Sequence, residues 1–499
     1  MSSASPQRSG GPPPAEAAAA SRDAVLAAHG AKPTRAQRIA AAYSQDGLAD
    51  AQLSSVRPDG SRYAIHPLEV KGVFITGRRV LFAVLLALYV LAPVVRIGGH
   101  PAVHLDVDTR RFYLFGGTFN AQDFWLVLPL VMGFVFSVLF VTAWRGRLWC
   151  GWACPQTVFL EALYRPIERL FDGPRERRIK LANAPWTPVR ALREVGKHLS
   201  YLTLSIALAH VATSLFTSIH SLEQMILEGP AASPVAFAWT TALTLVLYGN
   251  FAWFREQFCV VMCPYGRLQS VLHDPETVTL YYDVGRGEPR GKRVKNGPAI
   301  GDCVDCKKCV QACPTAIDIR NGLQMECVAC AQCADACDDV MARIGRPKGL
   351  IRYTSQAELK GQVHRVLRPR LVLYAALATL AFGTLGVTLV TRTPFEANVL
   401  RLAGVPYVLE QGRVRNQYEV HLVNKAPQAE DFVLSVRGPE GLDVQLATPE
   451  VHLGSLEQQR VPLVLYLPQD EAKGRVDLEL IVTSGGIEKH AVIPFVGPR

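Results

Sequence analysis

The sequence predicts an α-helical membrane protein of five spans, with a cytoplasmic ferredoxin-like 2×[4Fe–4S] insert and a C-terminal immunoglobulin-like β-sandwich. Three observations carry this reading: apolar stretches of about 20 residues recur along the chain, two four-cysteine runs have iron–sulfur spacing, and the last hundred or so residues are short alternating runs broken by Gly, Pro and Asn. Charged residues make up only 19% of the 499 positions while the apolar share, 49%, is ordinary. Soluble domains carry about 25% charge, so the apolar excess is concentrated in particular stretches and a single soluble globule is disfavoured. The formal net charge of +10 would suggest nucleic acid if the basic residues formed one patch or stripe. They are spread between the apolar runs, so topology is the better reading and no nucleic-acid partner is expected.

Residues 1–62, rich in Ala, Ser, Pro and Arg and without the apolar core of a secretory signal, read as a mostly disordered cytoplasmic tail with one helix near Arg35–Tyr43. The membrane region, 63–258, holds apolar stretches near 79–97, 123–143, 199–219 and 234–254, and a fifth follows at 371–391. Between the second and third lie Arg145, Arg147, Arg165, Arg169, Arg175, Arg177, Arg178, Lys180, Arg190, Arg193 and Lys197, whereas 220–233 has no Lys or Arg. The excess of Lys and Arg on the cytoplasmic side of membrane proteins places the N-terminus and the segment 259–370 inside, and everything after about 392 outside. In that last segment, 392–499, Tyr418–Val423, Phe432–Val436, Leu463–Leu467 and Val476–Val482 read as strands of a sandwich. It has no cysteine, so no inter-sheet disulfide is available and the immunoglobulin likeness is one of architecture.

All twelve cysteines fall into four groups, with long cysteine-free stretches at both ends, a pattern of metal or redox chemistry rather than of a disulfide scaffold. Cys303-x2-Cys306-x2-Cys309-x3-Cys313-Pro314 is a full bacterial iron–sulfur run, repeated as Cys327-x2-Cys330-x2-Cys333-x3-Cys337, within a domain expected over about 295–345. In such runs the fourth cysteine ligates the other cluster. One [4Fe–4S] cluster is therefore expected on Cys303, Cys306, Cys309 and Cys337, and a second on Cys327, Cys330, Cys333 and Cys313. Zinc is the weaker reading, since zinc sites separate two Cys-x2-Cys pairs. Asp338 stands where a second proline would follow, which questions only the local turn and the potential of the nearby cluster.

Cys150-Gly-Trp-Ala-Cys154-Pro155 and Cys259-Val-Val-Met-Cys263-Pro264 form a matched pair at the inner ends of the second and fourth stretches. On a helix, positions i and i+4 share a face, so each pair presents two sulfurs together, with a kink or helix end at the proline. Soft thiolates suit Cu(I), zinc or an iron–sulfur cluster, and a close dithiol can cycle to a disulfide. The bland alternative is buried packing. Met262 offers a thioether or merely packs. His210, inside the third stretch, is a candidate haem or copper ligand because ionisable residues in spans tend to be functional. His100, His104 and His220, on the outer side, are candidates to meet incoming metal, against a solvated-loop reading.

With these residues in place the chain resembles the FixG/CcoG/RdxA family of membrane-bound cytochrome c oxidase accessory proteins. The resemblance runs from about Tyr63 to the C-terminus and is carried by both Cys-x3-Cys-Pro motifs, both iron–sulfur runs and Gly345-Arg-Pro-Lys-Gly-Leu-Ile-Arg-Tyr353. Asp338 after Cys337 also resembles that family. Quinol-dehydrogenase subunits of the NapH type share the spans and the ferredoxin part, but the outer sandwich favours the first family. The resemblance implies a multi-pass protein of the bacterial inner membrane that assembles the copper-containing cbb3-type oxidase, reducing Cu(II) to Cu(I). Its partners would be oxidase assembly factors or copper chaperones and a cytoplasmic electron donor that the sequence does not identify. Three functions follow: a cupric reductase with copper at Cys150, Cys154, Cys259 and Cys263, a quinol-linked subunit feeding a partner reductase, and a scaffold for oxidase assembly.

Overall fold

A computed structural model describes residues 65–107, 109–291, 300–363, 365–426 and 428–498. The tail expected over 1–62 and its helix near Arg35–Tyr43 lie outside the described residues. These residues fall into two units, one from 65–91, 132–213 and 222–380, the other from 92–131, 214–221 and 381–498.

Among the described residues, four helices are long and apolar enough to cross a membrane: Val73–Leu91, Asp123–Arg145, Pro234–Phe254 and Pro369–Val390. Only 11–17% of each apolar window is buried against the rest of the chain. Their apolar side chains therefore face outward, a costly arrangement in water and a natural one in lipid. The first helix lies earlier than the stretch expected at 79–97, because Pro93 follows Leu91 closely and the chain turns into the strand Arg96–Ile97. The stretch expected at 199–219 falls on Pro188–Ser214, a 27-residue helix about 40 Å long. Lys197, His198, Ser200, Ser205 and His210 dilute its apolar character, and it does not meet the length-and-composition test that the four others pass.

Three of the arginines counted above as topological charges, Arg147, Arg165 and Arg178, are interior. Arg165 and Arg178 are each 3% exposed. Arg165 pairs with Glu161 at 2.8 Å and with Glu256, while Glu168 lies 3.1 Å from Arg255 and 3.7 Å from Arg178. Burial alone would raise the Glu168 carboxyl, but the His66 ring 3.6 Å away and the charges of Arg255, Arg165 and Arg178 outweigh it and hold the carboxyl well below the usual carboxylate range.

The second unit contains a two-sheet sandwich. One sheet runs in the order Asp443–Leu446, Gln458–Pro468, Arg413–Asn424, Phe395–Arg401, with Val408–Glu410 also on Arg413–Asn424. The other runs Glu450–Leu453, Glu430–Arg437, Arg475–Ser484, Ile487–Val496. All pairings are antiparallel, with registers such as Tyr418↔Leu463 and Leu434↔Val482. Period-two burial follows from the pleat: Val414, Tyr418, Val420 and Leu422 from one sheet meet Phe432, Leu434, Leu480 and Val482 from the other in one core. The same unit holds a meander, Val103–Asp106, Arg111–Leu114 and Gly117–Asn120.

Candidate iron–sulfur and thiol centres

The two iron–sulfur runs fold as near copies. In each, the residue two past the first cysteine and the residue one past the second take left-handed backbone: Asp305 and Lys307 in one run, Ala329 and Ala331 in the other. Successive amides in such turns point inward and form a nest for an anionic group. Lys307 and Ala331 then cap the helices Lys308–Ala312 and Gln332–Arg343. The copies part at the fourth cysteine. Pro314 ends the first run in a turn, with Ala316 at φ 59°, whereas Asp338 lets the second helix continue through Cys337 to Arg343. No turn is needed there, and the Asp338 carboxylate accepts the Gly349 amide at 2.8 Å.

Two cavities lie against these runs. One, of about 340 Å³, is lined by Cys303, Cys306, Cys309 and Cys337, and the other, of about 320 Å³, by Cys313, Cys327, Cys330 and Cys333. Cys309 also borders the second. Four thiolates on one zinc ion, at about 2.3 Å each, would close such a space. Among the described residues no three His, Cys, Asp or Glu side chains are gathered for a single ion, so cavity size and thiol distribution both fit a cubane cluster. The Thr315 hydroxyl lies 3.3 Å from Cys313 Sγ, and nearby amides, of Thr315, Ala316 and Ile317 at Cys313 and of Ala329 at Cys327, favour the thiolates. Burial pushes the Cys327, Cys309 and Cys337 thiols up to about 12, so ligation must displace their protons. Cys306 is the exposed corner, while Cys327, Cys330 and Cys333 are buried.

The strands Thr279–Tyr282 and Ile351–Thr354 pair across this domain, so the chain on both sides of the cysteine runs belongs to it. The stretch Gly345–Tyr353 does visible work here. Arg346 binds Asp302 at 2.6 Å, Arg352 binds Asp283 at 3.2 Å, and the Tyr353 hydroxyl donates to the Ala329 carbonyl at 2.5 Å.

The Cys-x3-Cys-Pro motifs do not sit on continuous helices as the i, i+4 spacing suggested. Cys150 lies in the short helix Leu148–Trp152, but Cys154 is extended (φ −61°, ψ 127°) and precedes the helix Pro155–Phe159. Cys263 is likewise extended (φ −70°, ψ 112°) before Pro264–Leu272. The reason is local: a residue before proline is disfavoured in helical backbone, while proline itself suits the first helical position. All four thiols nevertheless share one neighbourhood, although among the described residues no three of them are gathered for a single ion. Cys150 couples electrostatically with Cys154 and Cys263, Cys154 with Cys263, and Cys259 with all three. Burial pushes Cys150 up to about 11 and raises Cys154 and Cys259. The buried Gln269 amide donates to Cys150 Sγ at 3.3 Å, and Met262 is exposed.

This thiol group touches the second cluster cavity's loop. A Cβ on Gly151 would stand 2.5 Å from the Val328 carbonyl oxygen and 3.0 Å from Ala329, which only a glycine avoids. Trp152 Nε1 donates to the Tyr353 hydroxyl at 3.0 Å, and the fully buried Arg78 donates to the Gly151 carbonyl at 2.8 Å. Sequence reasoning missed Gly151, Trp152, Arg78, Gln269 and Tyr353. Trp152 sits between two motif cysteines and Tyr353 ends the family-like stretch, so both had a signal. Arg78 and Gln269 had none.

The histidines are occupied elsewhere. His210 Nδ1 contacts its own helix at the Ile206 carbonyl, 2.8 Å away. His100 and His104 both stack on Tyr113, at 4.2 and 6.0 Å, and His104 is buried rather than solvated. His220 lies on the helix Ile219–Glu228, and none of the four belongs to a group gathered for an ion among the described residues.

Four apolar helices, two crossed four-cysteine cavities and a β-sandwich define a membrane-associated iron–sulfur electron-transfer protein. Comparison with known proteins agrees. Residues 254–356 match a "4Fe-4S dicluster domain", 125–174 and 232–275 a "4Fe-4S binding domain", and 385–498 the "IG-like fold at C-terminal of FixG". Protein RdxA of Cereibacter sphaeroides is 35% identical over 85% of this chain and 94% of its own, and RdxB of the same organism is 36% identical over 80% and 86%. The nitrogen fixation protein FixG of Rhizobium meliloti is 33% identical over 77% and 81%. A crystal structure of a FixG-related protein from Vibrio parahaemolyticus aligns with 21% of this chain and 98% of its own, at 18% identity and a TM-score of 0.20. The chain belongs to the FixG/RdxA family.

Proposed function

We propose that this protein is a cupric reductase and assembly factor, taking Cu(II) at Cys150, Cys154, Cys259 and Cys263 and releasing Cu(I) for maturation of a cbb3-type cytochrome c oxidase. The observation that carries the reading is the seating of Gly151 and Trp152 on the loop that bears Cys327 and Cys330. It brings the motif of Cys150 and Cys154 up against a cluster cavity's loop. When bound, the two [4Fe–4S] clusters supply electrons one at a time. The chain's own residues do the rest. Thiolates prefer Cu(I), so the four sulfurs would hold product more tightly than substrate and favour reduction. Release then needs a recipient, a copper chaperone or oxidase assembly factor. The exposed Cys306 is the corner that a cytoplasmic electron donor would approach. Five crossings of a bacterial inner membrane, with the N-terminus inside and the sandwich in the periplasm, belong to the same reading and are supported by the Lys and Arg asymmetry.

One observation favours a second reading. The residues matching a "4Fe-4S binding domain" include both Cys-x3-Cys-Pro motifs, which suits a third cluster on the same four thiols. Metal analysis of anaerobically purified protein separates the two. About eight iron atoms per chain, unchanged in the quadruple Cys→Ser variant while Cu(I) uptake is lost, supports copper. About twelve, falling to about eight in that variant, overturns it in favour of the third cluster.

A further inference from the structure

We infer that a pocket beside the start of the first apolar helix binds the phosphate of an anionic membrane lipid. The cavity, about 370 Å³, is lined by Arg79, Arg165, Arg169 and Arg178, with Glu69 and Glu161 as its carboxylates. Beyond the cavity lining, Glu256 pairs with Arg165 and Glu168 lies 3.7 Å from Arg178, yet these carboxylates together still leave donors unused. Glu161 is taken by Arg165 at 2.8 Å, while Glu69 reaches Arg169 and Arg178 only at 3.7 and 3.9 Å. Arg165 Nη1 and Arg178 Nε, on side chains 3% exposed, have no hydrogen-bond partner among the described residues. Unpaired buried guanidinium nitrogens are costly, and a phosphate, with several acceptor oxygens on one centre, is suited to accept from Arg165 Nη1, Arg178 Nε and the more accessible Arg79 and Arg169 together.

The location selects the source of that phosphate. Ile75 and Arg79 are one turn apart on Val73–Leu91, a helix of mean hydropathy 1.9, and Leu68 and Ile75 give the cavity an apolar wall. An arginine near the end of a spanning helix sits at headgroup depth, where basic pockets bind anionic headgroups and an apolar wall suits the first acyl carbons. The pocket needs neither copper nor a cluster, so the inference is independent of the proposed function.

The test is native mass spectrometry of the full chain in detergent, titrated separately with phosphatidylglycerol, phosphatidylcholine and inorganic phosphate. Phosphatidylglycerol should bind at least about tenfold more tightly than phosphatidylcholine. The R79Q/R169Q variant, which changes only the two more accessible arginines, should weaken it about thirtyfold. R370Q, an exposed arginine at the start of another apolar helix, should bind like wild type. If the double variant is unstable, R79Q alone should weaken phosphatidylglycerol about fivefold. Equal binding of the two lipids, or undiminished binding in the variants, overturns the site. Inorganic phosphate binding as tightly as the lipid overturns the lipid assignment.

Discussion

Replacing Gly151 by alanine sets two opposed effects against each other. Gly151 is helical, within Leu148–Trp152, and alanine gains about 1 kcal/mol over glycine in a helix interior. The added Cβ, however, would stand 2.5 Å from the Val328 carbonyl oxygen and 3.0 Å from the Ala329 carbonyl. Both obstacles are backbone, between Cys327 and Cys330, with the Ala329 carbonyl further held by Tyr353, so neither yields as a flexible side chain would. Overpacking of this kind costs about 1–3 kcal/mol, enough to cancel or exceed the propensity gain, and its relief displaces the loop that binds the second cluster. Gly383 supplies the control, since it lies in the helix Pro369–Val390 with nothing within 4 Å of its added Cβ. Thermal unfolding with iron analysis and EPR of the reduced protein is the assay. Gly151→Ala should lower the midpoint and perturb one cluster signal, while Gly383→Ala holds or raises the midpoint. Gly151→Ala matching Gly383→Ala, with both signals intact, would refute the contact between thiol motif and cluster loop.

Glu168→Gln should cost about 3–5 kcal/mol, since it leaves buried guanidiniums under-compensated. Because the folded carboxyl is held below its ordinary value of about 4.3, its stabilisation is full above that pH and is lost as pH falls through the lower folded value; the wild type should therefore lose more stability than the variant on acidification below about pH 4, and a more acid-sensitive variant would contradict the ion-pair account. Cys337→Ser should damage the cluster held with Cys303, Cys306 and Cys309, and Cys313→Ser the other; EPR showing the reverse assignment would mean uncrossed ligation. A reporter active only in the periplasm should work when fused after Arg499 and stay silent near Gly291, and the opposite pattern would invert the proposed topology.

What was legible in the sequence was what local spacing controls. Three cysteines within seven positions can reach one cluster and the fourth must turn away, so crossed sets are expected, and the two cavities are lined by those eight residues with Cys309 on both. Sandwich strands were readable because period-two alternation is local. The dithiol geometry was only half readable: spacing of four suggests one helix face, but proline acts on the residue before it and makes Cys154 and Cys263 extended. Long-range partners were not readable at all. Nothing near Arg165 in sequence announces Glu256, nor does Thr279–Tyr282 announce its pairing with Ile351–Thr354, so charges read as topological proved interior and the ferredoxin domain proved wider than its cysteines. His104, open in the sequence between a metal contact and a solvated loop, is buried against Tyr113, a long-range partner that the sequence does not announce.

The central claim, that the four thiols at the membrane edge are where copper is reduced, is tested most directly by mixing anaerobic, dithionite-reduced and desalted protein with Cu(II) and following Cu(I) with a chromophoric chelator. Wild type should form Cu(I) as its clusters reoxidise, and the quadruple Cys150, Cys154, Cys259 and Cys263→Ser variant, folded and with unchanged iron, should not. Equal Cu(I) formation by that variant would contradict the account.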